Sequence, residues 1–120
     1  MENLEDLRRE YEVLVAVMCK ALNDPKRLMI LTFLGDSPKT VSDLVELLGS
    51  SQANVSQHLA VLRDRGLVRA VRDGSSVIYS LRHPRILDAV TILRTVMHDE
   101  LELRQGLRAG SSLRMAEPVS

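Results

Sequence analysis

The sequence predicts a mainly α-helical domain with one small β-hairpin, about five helices plus two strands. Three observations carry this. Apolar residues recur at three- and four-residue spacings along most of the chain. Aromatic residues are 2% of a chain that is 45% apolar, so Leu, Val, Ile, Ala and Met must build the core. A single Asp-Gly dipeptide, Asp73-Gly74, separates two runs of strand-forming character and is a strong hairpin signal.

The elements come in order. Leu4, Leu7, Tyr11, Leu14, Met18 and Ala21 form a heptad-type seam that predicts one long first helix. Val13, Val15, Ala16 and Val17 add apolar surface on its other faces, so this helix is expected to meet a partner chain as well as its own domain. Asp24 suits an N-cap and Pro25 the first position of a second helix, about Pro25 to Leu34. Gly35-Asp36-Ser37-Pro38 ends it. Thr40 can cap a third helix, Val41 to Leu48, which Gly49 closes. After Ser50-Ser51 a fourth helix runs from about Gln52 to Arg65, with Val55, Leu59 and Leu62 as its buried stripe. The strands are Leu67 to Arg72 and Ser75 to Leu81, with Val68, Ala70, Val77 and Tyr79 on the inward face. Pro84 opens a last helix to about Arg104, with a wide stripe that includes Ile86, Val90, Leu93 and Met97.

At 120 residues the chain fits one domain, expected over residues 1–105, with a flexible tail over 106–120 that is rich in Gly and Ser. Cys19 is the one cysteine, which rules out a disulfide within the chain and favours a reducing cytoplasm. No run approaches the ~18 apolar residues of a membrane helix. The acidic start, Met1-Glu2-Asn3-Leu4-Glu5-Asp6, lacks the basic beginning of a signal peptide. No nucleophile–base pair, phosphate loop or carboxylate pair points to an enzyme, and no cofactor or metal site is expected.

Formal net charge is zero, but the distribution is uneven. Between Ser50 and Arg85 the bases are Arg63, Arg65, Arg69, Arg72, Arg82 and Arg85, against Asp64 and Asp73 alone. A local basic face of this kind suits phosphate contact. Two short helices joined by Leu48-Gly49-Ser50-Ser51 and followed by a hairpin make a winged helix-turn-helix. The second helix of that unit enters the DNA major groove. Its first half presents Gln52, Asn54, Ser56, Gln57 and His58, neutral or weakly basic side chains that can pair with base edges. Between Gln52 and Leu62 there is no Glu or Lys, the residues a merely solvated helix usually carries. Arg63, Arg65, Arg69 and Arg72, at the helix end and on the wing, are cast as phosphate or minor-groove contacts. Arg72 stands ahead of Arg63 and Arg65, which could equally pair with Asp64 or a partner chain. Ser75 of the wing is a further DNA-binding candidate. The alternative is a winged helix that binds proteins. It would need an apolar patch where Gln52, Asn54 and Gln57 stand.

Three segments resemble the ArsR/SmtB family of bacterial metal- and stress-responsive repressors. They are Ala21-Leu22-Asn23-Asp24-Pro25-Lys26-Arg27-Leu28-Met29-Ile30-Leu31, Ser51 through Arg63, and Gly66-Leu67-Val68 with the wing Arg72 to Tyr79. The resemblance implies a homodimer built from the first and last helices, through Leu7, Tyr11, Leu14, Met18, Val90, Leu93 and Met97. It also implies repression at a palindromic operator in double-stranded DNA, relieved by an effector. Ser56, Gln57 and His58 match the base-reading positions.

The sensing sites depart from the family pattern. The family's thiolate site lies after the Pro38 turn, where this chain has Thr40-Val41-Ser42-Asp43-Leu44 and no cysteine. Its last-helix zinc positions correspond to His83, Arg85, Val96 and Asp99, and Arg85 and Val96 cannot ligate zinc. Cys19 is open to two readings, a buried core thiol or a redox-sensitive one. The sequence does not name the effector, whether metal, small molecule, oxidant or none at all, nor the operator and the choice between repressor and activator.

Overall fold

The computed structural model describes residues 3–107. The order is α1 (Leu4–Leu14), a π-helical turn (Val15–Cys19), α2 (Pro25–Asp36), β1 (Lys39–Thr40), α3 (Val41–Leu48), α4 (Gln52–Asp64), β2 (Val68–Asp73), β3 (Ser76–Leu81) and α5 (Arg85–Leu107). Two compact units divide between Ile86 and Leu87. None of the described helices is long and apolar enough to cross a membrane.

The helix starts obey their local chemistry. Asn3 accepts the Asp6 amide at 2.8 Å, and Asp24 accepts that of Lys26 at 2.8 Å with Pro25 next in line. Thr40 and Asp43 form a reciprocal capping box, amide to side chain in both directions. In α4 the Ser51 hydroxyl accepts the Asn54 amide at 3.1 Å. Between α3 and α4 the chain reverses at Gly49, whose φ of +66° would strain any residue with a Cβ.

The core of the first unit is a single aliphatic cluster. Ile30, Leu31 and Leu34 of α2, Leu44 of α3, and Val55, Leu59 and Leu62 of α4 close around Ala21, Leu67 and Val68. Each large aliphatic side chain among them contributes about 1.5–3 kcal/mol on burial, so these few positions dominate the stability of the unit. α5 lies almost wholly in the second unit, and its Ile92, Leu93, Val96, Met97 and Leu103 are exposed.

Four differences from the sequence reading have physical reasons. The first helix is not one continuous α-helix, because the π-turn at Val15–Cys19 inserts a residue and rotates the segment after it. Met18 consequently packs against the core while Leu7, Tyr11 and Leu14 stay exposed, so Met18 leaves the seam expected to meet a partner. The sheet has three strands rather than two, since β1 pairs antiparallel with β3, Lys39 opposite Tyr79 and Thr40 opposite Ile78. Two residues carry too little pattern to announce a strand. The hairpin loop is Gly74-Ser75, one residue later than expected, with Asp73 opposite Ser76. Gly74 has φ of +64° and Ser75 does not have positive φ, as in a turn with glycine first. Moving the loop by one residue slides the pairing by two, so Val68, Ala70, Val77 and Tyr79 keep their common face. Finally, α5 extends to Leu107. Residues 106 and 107 of the expected flexible tail are therefore helical, and 108–120 lie outside the described residues.

Candidate nucleic-acid interface

Burial of Val55, Leu59 and Leu62 fixes the roll of α4, and that roll decides what its other side chains can reach. Gln52, Ala53, Ser56, Gln57 and Arg63 face solvent as one stripe. Asn54 and His58, one turn apart, lie on the flank toward the start of α2. Asn54 is half-buried, and its carbonyl oxygen accepts from the Lys26 ammonium at 3.3 Å.

His58 is turned away from the solvent stripe. Its side chain is 12% exposed, with Nδ1 3.3 Å from Arg27 Nη1 and Nε2 4.0 Å from Asp24 Oδ1. This corrects the expectation that His58 reads bases. Its Cα sits in the reading half of the helix, but its ring fills the gap between α4 and the α2 cap. Arg27, in turn, donates from Nε to the Ala21 carbonyl at 2.7 Å. Its Nη2 reaches the Lys20 carbonyl at 3.2 Å and the Asn23 side-chain oxygen at 2.9 Å. Asp24 has its carboxyl held below the usual range, first by the Lys26 amide, against an opposing effect of desolvation, with the charges of His58 and Arg27 adding smaller contributions in the same direction as the amide. Asp24 and Arg27 escape a sequence reading because their shared partner His58 lies far along the chain. Only the N-cap role of Asp24 has a local signature.

The wing is held at its stem and free at its tip. β1 on one edge and the buried Val68 fix the base of the hairpin. Arg72 and Ser75, near and in the turn, are exposed. Arg63, Arg69 and Arg72 hold no ion-pair partner among the described residues, so their charge is available to an outside anion. Arg65 is committed within the chain, donating to the Ala16 carbonyl of the π-turn at 3.0 Å. The surface thus offers a neutral hydrogen-bonding stripe bordered by free guanidinium groups. Such a surface can approach a groove closely while pairing with the phosphates on either side.

Of the residues expected to meet a partner chain, Leu7, Tyr11, Leu14, Leu93 and Met97 are exposed. Val90 is 5% exposed, unlike the rest of that set, and Met18 packs against the core of the first unit. Cys19 is exposed, which overturns the buried-core reading; the π-turn carries its thiol outward. Among the described residues no group of three or more His, Cys, Asp or Glu is placed to hold a metal ion. The positions matching the zinc set include the Arg85 guanidinium and the Val96 isopropyl group, which do not fit a metal.

A family model described as a bacterial regulatory protein of the arsR family matches residues 24–70, from the α2 cap to the start of the wing. The HTH-type transcriptional regulator YgaV of Escherichia coli K12 is 36% identical over 97 residues, 80% of this chain and 97% of that protein. Among solved structures, the transcriptional repressor BigR from Xylella fastidiosa has a TM-score of 0.68 at 30% identity, covering 79% of this chain and 96% of its own. The homodimeric winged helix-turn-helix DNA-binding domain of Mb0332 from Mycobacterium bovis has a TM-score of 0.71 at 26% identity, covering 85% and 94%. The fold is thus a winged helix-turn-helix.

Proposed function

The chain belongs to the ArsR family of bacterial regulatory proteins, and from that premise we propose that it is a dimeric repressor of transcription that binds a palindromic operator. The family consists of transcriptional regulators, not enzymes. One observation carries the reading: the first half of the exposed stripe of α4 is neutral and hydrogen-bonding, with Gln52, Ser56 and Gln57 forward and, behind, Arg63, Arg69 and Arg72, which hold no ion-pair partner among the described residues. α4 enters the major groove by its N-terminal half, and Gln57 pairs with a base edge. Arg72 and Ser75 of the wing contact the sugar-phosphate backbone. The protein works in the cytoplasm, where its single thiol stays reduced.

Dimerisation is supported by the apolar side chains that the single chain leaves in water: Leu7, Tyr11 and Leu14 on α1, Leu93, Val96 and Met97 on α5. The homodimeric Mb0332 domain points the same way. A two-fold dimer presents two copies of α4, which is why the operator should be palindromic with half-sites about one or more helical turns apart. The candidate effectors are a metal, a small molecule and an oxidant, and binding without any effector is the fourth reading. If the effector is an oxidant, the exposed Cys19 must bond outside its own chain or be modified singly, because the chain has no second thiol.

A fluorescence-anisotropy titration tests the reading. The full chain is titrated against duplex DNA from upstream of its own gene and against a scrambled duplex, at two salt concentrations. Tight, salt-dependent preference for the native duplex supports it. Arg72→Ala should weaken binding to both duplexes alike and reduce the salt slope by about one. Equal binding of both duplexes by the wild type, with and without added metals and oxidant, rejects sequence-specific recognition.

A further inference from the structure

We infer that His58 and Arg27 are positioning residues that set the recognition helix against the end of the first helical arm, and that neutral His58 is the form that binds operator. This rests on the DNA-binding reading above. A guanidinium has no acceptor, so the 3.3 Å approach of Arg27 Nη1 is a hydrogen bond only where His58 Nδ1 carries a lone pair. The proton of the neutral ring then sits on Nε2, which faces the Asp24 carboxylate at 4.0 Å. The same Arg27 holds the carbonyls of Lys20 and Ala21, which the end of the arm leaves without helical partners. The far end of α4 is tied to the arm as well, through Arg65 and the Ala16 carbonyl. α4 is therefore held at two points along its length, one near its reading half and one at its C-terminus, and both anchors lie on the same segment, residues 16–21.

Protonation of His58 changes its partner. An imidazolium has N–H on both nitrogens, so Nδ1 can no longer accept from Arg27, and the two cations face each other. Attraction shifts to Asp24. The charged groups around the ring are Asp24 and Arg27 of α2, with Lys26 beyond Asn54. Among the described residues, the Lys20 and Ala21 carbonyls and the Asn23 side-chain oxygen meet the ring's surroundings through Arg27. Protonation thus weakens the link that fixes the roll of α4, and operator affinity falls with it.

The test uses the full chain and the upstream duplex, with anisotropy read from pH about 8 to about 5.5. His58→Ala should weaken native-duplex binding about tenfold, the size of one charge-assisted hydrogen bond. The salt slope should not change, because no phosphate contact is lost. His58→Asn can place its amide oxygen where Nδ1 stands, so it should keep wild-type affinity at pH about 8 and lose the acid-dependent fall. Arg27→Lys keeps the charge but cannot span the four partners. It should resemble His58→Ala, and the double variant should be no weaker than either one. A His58→Ala protein with wild-type affinity and pH profile overturns the inference, as does one whose salt slope drops by about one, the mark of a direct phosphate contact. The nitrogen-15 shifts of the ring in DNA-free protein give an independent readout. A proton on Nδ1 at neutral pH overturns the inference even where operator binding is intact. Wild-type protein that ignores the native duplex sinks the DNA-binding reading instead.

Discussion

Helices α1 and α4 both carry apolar residues at three- and four-residue spacing, and the chain treats them in opposite ways. Val55, Leu59 and Leu62 of α4 have no accessible surface. Of the described residues of α1 none is buried, and Leu7, Tyr11 and Leu14 stand in water. The difference lies in what each helix is flanked by. α4 is enclosed by α2, α3 and β2, whereas α1 is contiguous with the π-turn and projects its seam outward. An apolar stripe requires a cover. In α4 the cover is the same chain, and in α1 it is assigned to a second copy.

Four substitutions can break or sharpen that contrast. The largest effect is expected for Leu59→Ala, which should lower unfolding free energy by about 2–5 kcal/mol in urea melts, since a fully enclosed cavity forms. A loss no larger than that of an exposed site would mean α4 is not the enclosed helix. Leu14→Asp should act on assembly, not on the fold of the monomer. In a two-fold dimer the change counts twice, so the dissociation constant should rise by about a hundredfold, roughly 3 kcal/mol, in sedimentation equilibrium. An unchanged dimer mass at low micromolar concentration would place the interface elsewhere. Gln57→Ala changes the solvent face of α4 and should cost about 1–3 kcal/mol of specific affinity while leaving the urea midpoint alone. Unaltered operator preference would remove Gln57 from base reading. The smallest effect concerns the α3 cap. Asp43 has its carboxyl held below the ordinary range, first by the Thr40 backbone amide and then by the Thr40 hydroxyl. A lowered carboxyl stabilises the fold above its unfolded-state value and loses that contribution as pH falls through the lowered one. Asp43→Asn should therefore flatten the acid limb of a stability–pH profile. A limb of undiminished slope would assign acid sensitivity to other carboxylates.

Much of this is legible in the sequence because it is local. The Thr40 cap, the Gly49 reversal, the helix restart after Ser50-Ser51 and the 55–59–62 stripe are short-range patterns, and each is realised where it is expected. Parity protects the hairpin: the Asp-Gly signal points one residue early, yet every inward side chain remains inward. What the sequence does not disclose depends on distance or on a single inserted residue. Nothing in Val15-Ala16-Val17-Met18-Cys19 distinguishes a π-turn from a further α-turn, so the heptad pattern puts Met18 and Cys19 on the wrong sides. His58 looks like a reading residue because its position is right. Its actual partners, Asp24 and Arg27, belong to a different helix start and set the direction of its ring.

The π-turn also means that the orientation of the arm is stored as a count of residues per turn rather than as their chemistry. An α-helix advances about 100° per residue, and the π-turn takes up one residue without that advance. Closing Val15–Cys19 into ordinary α-turns at unchanged length would therefore swing the Leu4–Leu14 seam by about a quarter of a turn. Every apolar side chain of that seam would survive such a change, and all of them would point the wrong way. A shift from π- to α-turn at this spot is therefore a route by which related chains stop recognising one another as partners without changing a single contact residue.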